Sequence, residues 1–263
     1  MSLLEVRGLS RSYQQRSGWG GPARVTHALR GVDLEVDAGE TLAVIGESGS
    51  GKTTLMRLLL ALDRPTAGTV RFDGREVQAG PARTLRWLRR ETGIVLQDPY
   101  SSLDPRMSVG ASVAEPLRAL RIPGDHRARV REVLARVGLD PELAERYPHE
   151  LSGGQRQRVA LSRAIVHGPK LLIGDEPLSA LDVTVRAQVL ELLRELHRDL
   201  GLAVVLVSHD IGLVQHFAER VLVMHDGEIV EAGDSARVLA APQHDYTKRL
   251  LAAVPRLMNG ATS

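Results

Sequence analysis

The chain has 263 residues, 43% of them hydrophobic and 25% charged, with a formal net charge of +2 and no cysteine. This is the composition of a soluble globular protein long enough to bury a full core. It excludes disulfides, thiolate metal sites and cysteine-ligated clusters, and the charge is too small to argue for nucleic acid. No run approaches the roughly 18 apolar residues of a spanning helix. Met1–Glu5 lacks a basic region followed by a long apolar core, so no signal peptide is expected and a cytosolic setting fits. Among the 34 basic residues only Lys52, Lys170 and Lys248 are lysine. A GC-rich coding background accounts for that bias, and it makes a lysine inside a phosphate-loop pattern conspicuous.

In chain order, short apolar and β-branched runs predict strands over Leu3–Val6, Val32–Val36, Thr41–Ile45, Thr69–Phe72, Gly93–Leu96, Leu171–Ile173, Ala203–Val207, Arg220–Met224 and Glu228–Glu231. Asp73-Gly74 and Asp226-Gly227 are tight-turn signals, so an antiparallel patch is expected beside a parallel core. Ser12–Thr26, with Gly18, Gly20, Gly21 and Pro22, is expected to be an exposed loop. Between about 98 and 166 the strand signal vanishes. Helices are predicted over Ser108–Leu120, His126–Val137 and Gln155–His167, with Pro116, Pro123, Pro141 and Pro148 marking breaks. The pattern is α/β with a helical lobe inserted into the core.

Gly46, Glu47, Ser48, Gly49, Ser50, Gly51, Lys52 and Thr53 match the phosphate-loop pattern, between the strand Thr41–Ile45 and the helical run Thr53–Leu62. Glycines let the backbone wrap phosphates and aim N–H groups at them beside a helix start. Lys52 would neutralise β- and γ-phosphate charge and the Thr53 hydroxyl would ligate Mg²⁺; Thr54 extends the same nucleotide-binding helix start. Asp175-Glu176 ends the strand Leu171–Ile173, where acids point into the ligand crevice of an open α/β sheet. Asp175 would hold Mg²⁺ and Glu176 would polarise an attacking water; an isolated pair would be a solvated turn. His209 after Ala203–Val207 either caps a turn or reaches a γ-phosphate. Gln97 after Ile94-Val95-Leu96 is either a strand-end polar residue or a contact to Mg²⁺ or the water. Ser152, Gly153, Gly154 and Gln155 open a second anion-binding helix start. Either the chain binds two anions, or this start serves a neighbouring subunit.

The order of Gly46–Thr53, Gln97, Leu151–Gln155, Asp175-Glu176, Ser179-Ala180-Leu181-Asp182 and His209 resembles the ATPase subunits of ATP-binding cassette (ABC) transporters, from about residue 3 to 255. The resemblance implies a P-loop NTPase (RecA-like) core with an antiparallel β subdomain and an inserted helical subdomain. It implies two cassettes paired head to tail, with Ser152–Gln155 on the partner's γ-phosphate and Gln97 linked to membrane subunits. It also puts Asp182 on the dimer seam and Tyr13 against adenine, a stack worth ~1–3 kcal/mol. The segments 97–106 and 182–188 look like the dipeptide, oligopeptide and nickel importer group. The tail His244-Asp245-Tyr246-Thr247 resembles that group's His-Pro-Tyr-Thr tail, with Asp245 in place of proline. Gly174 and Ser162 are mild departures that touch no proposed catalytic atom.

The resemblance divides the chain into an N-terminal part of the ATP-binding core at 1–97, a helical subdomain at 98–166, the rest of the core at 167–243 and a short tail at 244–263. The expected function is the ATP-hydrolysing subunit of an importer for peptides or nickel-type solutes, peripheral at the cytoplasmic face of the inner membrane. Its cofactors are ATP and Mg²⁺. Its partners are a second ABC ATPase subunit, two transmembrane permeases and a periplasmic or extracellular solute-binding protein, with no nucleic acid. A heterodimer is expected, with a homodimer as the alternative. The competing reading is a non-transport ABC ATPase in a soluble complex such as carbon–phosphorus lyase.

Overall fold

The computed structural model describes residues 2–16, 23–97, 102–179 and 181–253. Strands β1 (Ser2–Arg16), β2 (Ala23–Asp37), β4 (Ala67–Phe72) and β5 (Arg75–Glu76) form an antiparallel sheet in the order β2-β1-β4-β5. A second sheet contains β3 (Thr41–Ile45), β6 (Thr92–Val95), β7 (Leu171–Asp175), β8 (Ala203–Val207), β9 (Arg220–His225) and β10 (Glu228–Asp234). Its order is β10-β9-β3-β8-β7-β6, parallel except for β10 at the edge.

Strands β3 and β8 are buried at every position. That is why they read as unbroken apolar runs instead of alternating ones. Within them alternation still sorts the two faces. Leu42 and Val44 join Leu4, Phe72 and Leu55 in an apolar layer shared with the antiparallel sheet. Ala43 and Ile45 join Leu161, Leu192 and Val214 of the helices on the other side. The parallel sheet is thus the middle layer of the fold.

Both expected tight turns form. Phe72 pairs with Arg75 around Asp73 (φ 49°) and Gly74 (φ 72°), and His225 pairs with Glu228 around Asp226 (φ 47°) and Gly227 (φ 83°). Two successive positive φ angles match the twist of a two-residue hairpin. The expected loop at Ser12–Thr26 is a correction. Strand β1 runs on to Arg16 and β2 begins at Ala23, pairing Ser12 with His27 and Tyr13 with Thr26. Gly18, Gly20, Gly21 and Pro22 lie outside the described residues. This ribbon is held by polar contacts, such as Ser12 Oγ to His27 Nδ1 at 2.9 Å and Gly31 N–H to Ser10 Oγ at 2.8 Å. It has no apolar period to announce it.

The helices are α1 (Lys52–Leu59), α2 (Arg86–Glu91), α3 (Val109–Ala119), α4 (His126–Arg136), α5 (Gly153–Ile165), α6 (Val183–Leu200), α7 (Ile211–Phe217), α8 (Ser235–Ala240) and α9 (Asp245–Ala252). The described residues between β6 and β7 contain helices and 3₁₀ turns but no strand, as expected of the inserted lobe. Ser108 caps α3 by accepting from Ala111 N–H, and Asp125 caps α4 by accepting from Arg127 and Ala128 N–H. Pro141 and Pro148 open 3₁₀ turns, in keeping with a punctuating role. Pro116 is a correction: it lies inside α3. Its ring removes the bond that residue 116 would donate to the Ser112 carbonyl. The turn continues nonetheless, because Leu120 N–H reaches the Pro116 carbonyl at 2.9 Å. No helix among the described residues is long and apolar enough to cross a membrane.

Helix α9 is tied back to the sheet edge. Glu231 on β10 accepts from Gln243 N–H at 2.7 Å and His244 N–H at 3.0 Å. Tyr246 is buried and its ring stacks on His225 at 3.9 Å. Asp245 occupies the first helical position, where proline and an acid are both well accommodated. The departure from proline at this position therefore leaves the helix intact.

Candidate functional site

The site is built at the carboxyl ends of β3, β8, β7 and β6. After β3 the chain turns through residues 46–51 into α1. A Cβ at Gly46 (φ 152°) would stand 2.2 Å from the Met224 carbonyl oxygen, and one at Gly51 (φ 106°) 2.5 Å from that of Ala28. Only glycine permits both the close approach and the backbone angle. The loop curls around Lys52, which is buried. Its Nζ donates to the carbonyls of Gly46 and Glu47, both at 2.7 Å, and to Ser50 Oγ at 3.3 Å. Burial lowers the Lys52 pKa, while the carboxylates of Glu176, Asp175 and Glu47 oppose that shift. The ammonium is therefore desolvated and close to acid.

Asp175 ends β7, and Glu176 follows in the left-handed region at φ 46°. For a residue with a side chain that conformation costs about 1–2 kcal/mol. It is held by the Glu176 N–H donating to the Val207 carbonyl of β8 at 2.9 Å. The Glu176 carboxylate is gripped on both sides. Gln97 Nε2 donates to Oε2 at 3.1 Å, and His209 Nδ1 lies 3.0 Å from Oε1. Strand order explains the meeting: β6, β7 and β8 are adjacent, and each delivers one of these residues at its carboxyl end. Behind His209, Asp210 caps α7 and pairs with Arg186 of α6 at 2.7 Å. Asp182 caps α6 by accepting from Val185 N–H at 2.9 Å, while Ala180 lies outside the described residues.

A cavity of about 560 Å³ joins these groups, a size suited to a small-molecule ligand. Its wall includes Gly46, Glu47, Ser48, Gly49, Gly51, Lys52, Thr53, Thr54, Gln97, Asp175, Glu176 and His209. Ser50 is not part of this wall, and its Oγ accepts from Lys52 Nζ at 3.3 Å. Tyr13 lies outside this wall. Its hydroxyl donates to Asp63 Oδ2 at 2.7 Å, and the Arg11 guanidinium sits 4.5 Å from its ring centroid. Ser152–Gln155 also lie outside the wall. They form a capping box in which Ser152 Oγ accepts from Gln155 N–H and Gln155 Oε1 accepts from Ser152 N–H. The first N–H groups of α5, on Gly153 and Gly154, have no acceptor within their helix. Three wall residues were not singled out by sequence reasoning: Ala28, Val207 and Leu250. None carries a polar atom on its side chain or a motif that would signal a ligand.

Asp175 is raised above its ordinary pKa by burial and by neighbouring Glu176, with Lys52 opposing. The folded chain therefore binds this proton more tightly than the unfolded chain. Its contribution to stability is present below the ordinary value of 3.8 and is lost as pH rises through the higher folded value. Asp175→Asn is expected to raise the thermal midpoint of the nucleotide-free protein at pH 7. The gain should vanish as pH falls towards 4, and ATPase activity should be lost. Calorimetry at both pH values checks this; a lower midpoint at pH 7 would count against it.

The donor set suits a hard cation bound together with phosphate. Thr53 presents a hydroxyl in the wall and Asp175 a carboxylate that burial and a like charge disfavour. No group of three or more His, Cys, Asp or Glu able to hold a metal occurs among the described residues. A metal here would need oxygens from its phosphate ligand, as Mg²⁺ does.

A family model described as ABC transporter matches residues 29–179, from within β2 through the phosphate loop and past Glu176. The chain belongs to the ABC transporter family. It is 47% identical over 256 residues to the glutathione import ATP-binding protein GsiA of Salmonella paratyphi A, and equally to that of Escherichia coli K12. These matches cover 96% of this chain but 41% of each relative, so the chain spans about two fifths of their length. Among solved structures, cbiO1 from Clostridium perfringens, part of the ABC transporter complex cbiONQ, is 31% identical with a TM-score of 0.78, covering 91% of both chains. The ATP-binding cassette MJ0796, in a dimeric post-hydrolysis state bound to ADP and Pi, is 30% identical with a TM-score of 0.76, covering 88% of this chain and 98% of that one. The α/β class, the phosphate-loop NTPase core and the antiparallel β sheet beside it agree with this ABC cassette fold.

Proposed function

We propose that this ABC cassette is the ATP-binding and ATP-hydrolysing subunit of an importer for glutathione-like or other short peptides. The observation that carries the reading is the Glu176 carboxylate, held between Gln97 and His209 in the same cavity as Lys52. The 47% identity to glutathione import proteins supports the peptide class.

In this reading the loop amides and Lys52 Nζ take the β- and γ-phosphates, with Lys52 exchanging the Gly46 and Glu47 carbonyls for phosphate oxygen. Thr53, Asp175 and Gln97 would hold Mg²⁺, which supplies charge neutralisation across those phosphates. Glu176 accepts the proton of the attacking water. His209 and Gln97 keep its carboxylate turned towards the water. Tyr13 stacks on adenine, reached from the ribbon beside Asp63. Ser152 and the Gly153 and Gly154 amides serve the γ-phosphate of a second cassette, which explains an anion-binding helix start outside the chain's own cavity. The remaining partners are two transmembrane permeases and a solute-binding protein. The chain works at the cytoplasmic face of the inner membrane, with residues 98–166 as the lobe that passes motion to the permeases.

Affinity purification of the tagged chain from gently solubilised membranes of its own cell tests this. Two polytopic permeases and a second ATPase subunit are the expected companions. A soluble multi-enzyme assembly without permeases would overturn the transport assignment and leave the ATPase chemistry standing.

A further inference from the structure

We propose that the C-terminal helix α9 is a working part of the nucleotide site, with Tyr246 as a positioning residue for the phosphate loop and Leu250 as part of the cavity wall. The inference rests on the phosphate-loop reading of residues 46–53.

Two contacts made by one helix face carry it. The Tyr246 hydroxyl accepts a hydrogen bond from the Glu47 N–H at 2.9 Å, across 199 residues of sequence. One helical turn later, Leu250 lines the 560 Å³ cavity itself. Residues four apart lie on the same helix face, so α9 applies one side to the loop and the site.

Both backbone polar groups of Glu47 are held. Its carbonyl accepts from Lys52 Nζ at 2.7 Å, and its N–H is turned away to Tyr246. When Lys52 transfers to phosphate, the carbonyl is left with the Ser50 N–H, which donates to it at 3.2 Å. The Tyr246 hydroxyl then holds the Glu47 backbone from outside the loop, beside the loop's own turn. Without it, the Glu47 N–H is left to water and the loop gains freedom that ligand binding must remove.

The helix is braced to do this. Glu231 accepts from the N–H groups of Gln243 and His244 just before α9, and the Tyr246 ring, 3% exposed, stacks on His225. His225 stands at the end of β9, the strand beside β3. The tail is therefore anchored to the same sheet that carries the loop.

The test uses the full chain and titrates MgATP against four proteins: wild type, Tyr246→Phe, Glu231→Gln and Lys52→Ala. Phenylalanine keeps the ring on His225 and removes only the acceptor. Tyr246→Phe should raise the ATP Kd and KM about five- to tenfold, the value of one net hydrogen bond, with kcat within twofold. Glu231→Gln, which loosens the brace away from the cavity, should raise Kd two- to threefold. A fall in thermal midpoint with Kd and KM unchanged in both variants would make α9 a structural prop and overturn the proposal. If Lys52→Ala loses affinity while Tyr246→Phe does not, the tail assignment alone is wrong. If Lys52→Ala binds ATP normally, the phosphate-loop reading itself has failed.

Discussion

Glu176→Gln is expected to keep MgATP binding within about threefold while turnover falls by about 10²–10⁴-fold, the contribution of a positioned general base. The substitution is nearly isosteric. A glutamine oxygen can still accept from Gln97 Nε2, now at 3.1 Å, and the backbone bond to the Val207 carbonyl is untouched. What disappears is a carboxylate able to take a proton and to hold an imidazole N–H at 3.0 Å. Binding should survive because Lys52 and the loop do not hydrogen-bond Glu176. Loss of one negative charge beside Asp175 also favours phosphate in the cavity. Nucleotide titration combined with single-turnover hydrolysis separates the two effects. Turnover within a few-fold of wild type would remove Glu176 from the chemistry and point to another base.

Lys52→Ala is expected to weaken ATP binding by about 10²-fold. A charge-assisted hydrogen bond to phosphate contributes about 1.5–3 kcal/mol, and 2.7 kcal/mol corresponds to that factor. The burial of Lys52 makes the upper half of the range the better guide. Alanine removes the donor shared by Gly46 O, Glu47 O and Ser50 Oγ. It also removes a cation that interacts with Asp175 and Glu176. The nucleotide-free loop should therefore loosen as well as lose its phosphate contact. Calorimetric titration measures the loss directly, and unchanged affinity would mean that the loop serves another purpose.

Much of the site could be read from sequence because its chemistry is local. A phosphate loop needs its glycines, lysine and threonine within eight consecutive residues, preceded by a strand and followed by a helix. That whole device sits at Thr41–Leu59. Asp175-Glu176 and His209 were legible for a related reason. Each follows an apolar run whose length and burial mark a core strand, and polar residues at such ends face the ligand crevice. The Asp-Gly turns also act over three or four residues.

Elements whose stability comes from elsewhere in the chain were harder to read. The β1–β2 ribbon is made of polar residues paired across strands, as Ser12 with His27, so its pattern resembles a loop. Pro116 reads as a break within the helix predicted over Ser108–Leu120, yet the packing of Val113 and Leu117 into the core keeps α3 continuous past it. Burial of two such side chains, about 1.5–3 kcal/mol each, outweighs the bond that proline cannot make.

The sequence by itself determined the phosphate loop, the acids that face it, the two kinds of sheet and the family that uses them. The tertiary structure alone decided which groups touch. Strand order brought Gln97, Glu176 and His209 together at adjacent strand ends, and the return of the tail set Tyr246 against Glu47. Local patterns report what a residue needs within a turn or a strand. Contacts across 79 or 199 residues depend on how the strands are ordered and what packs over them, which no short pattern encodes.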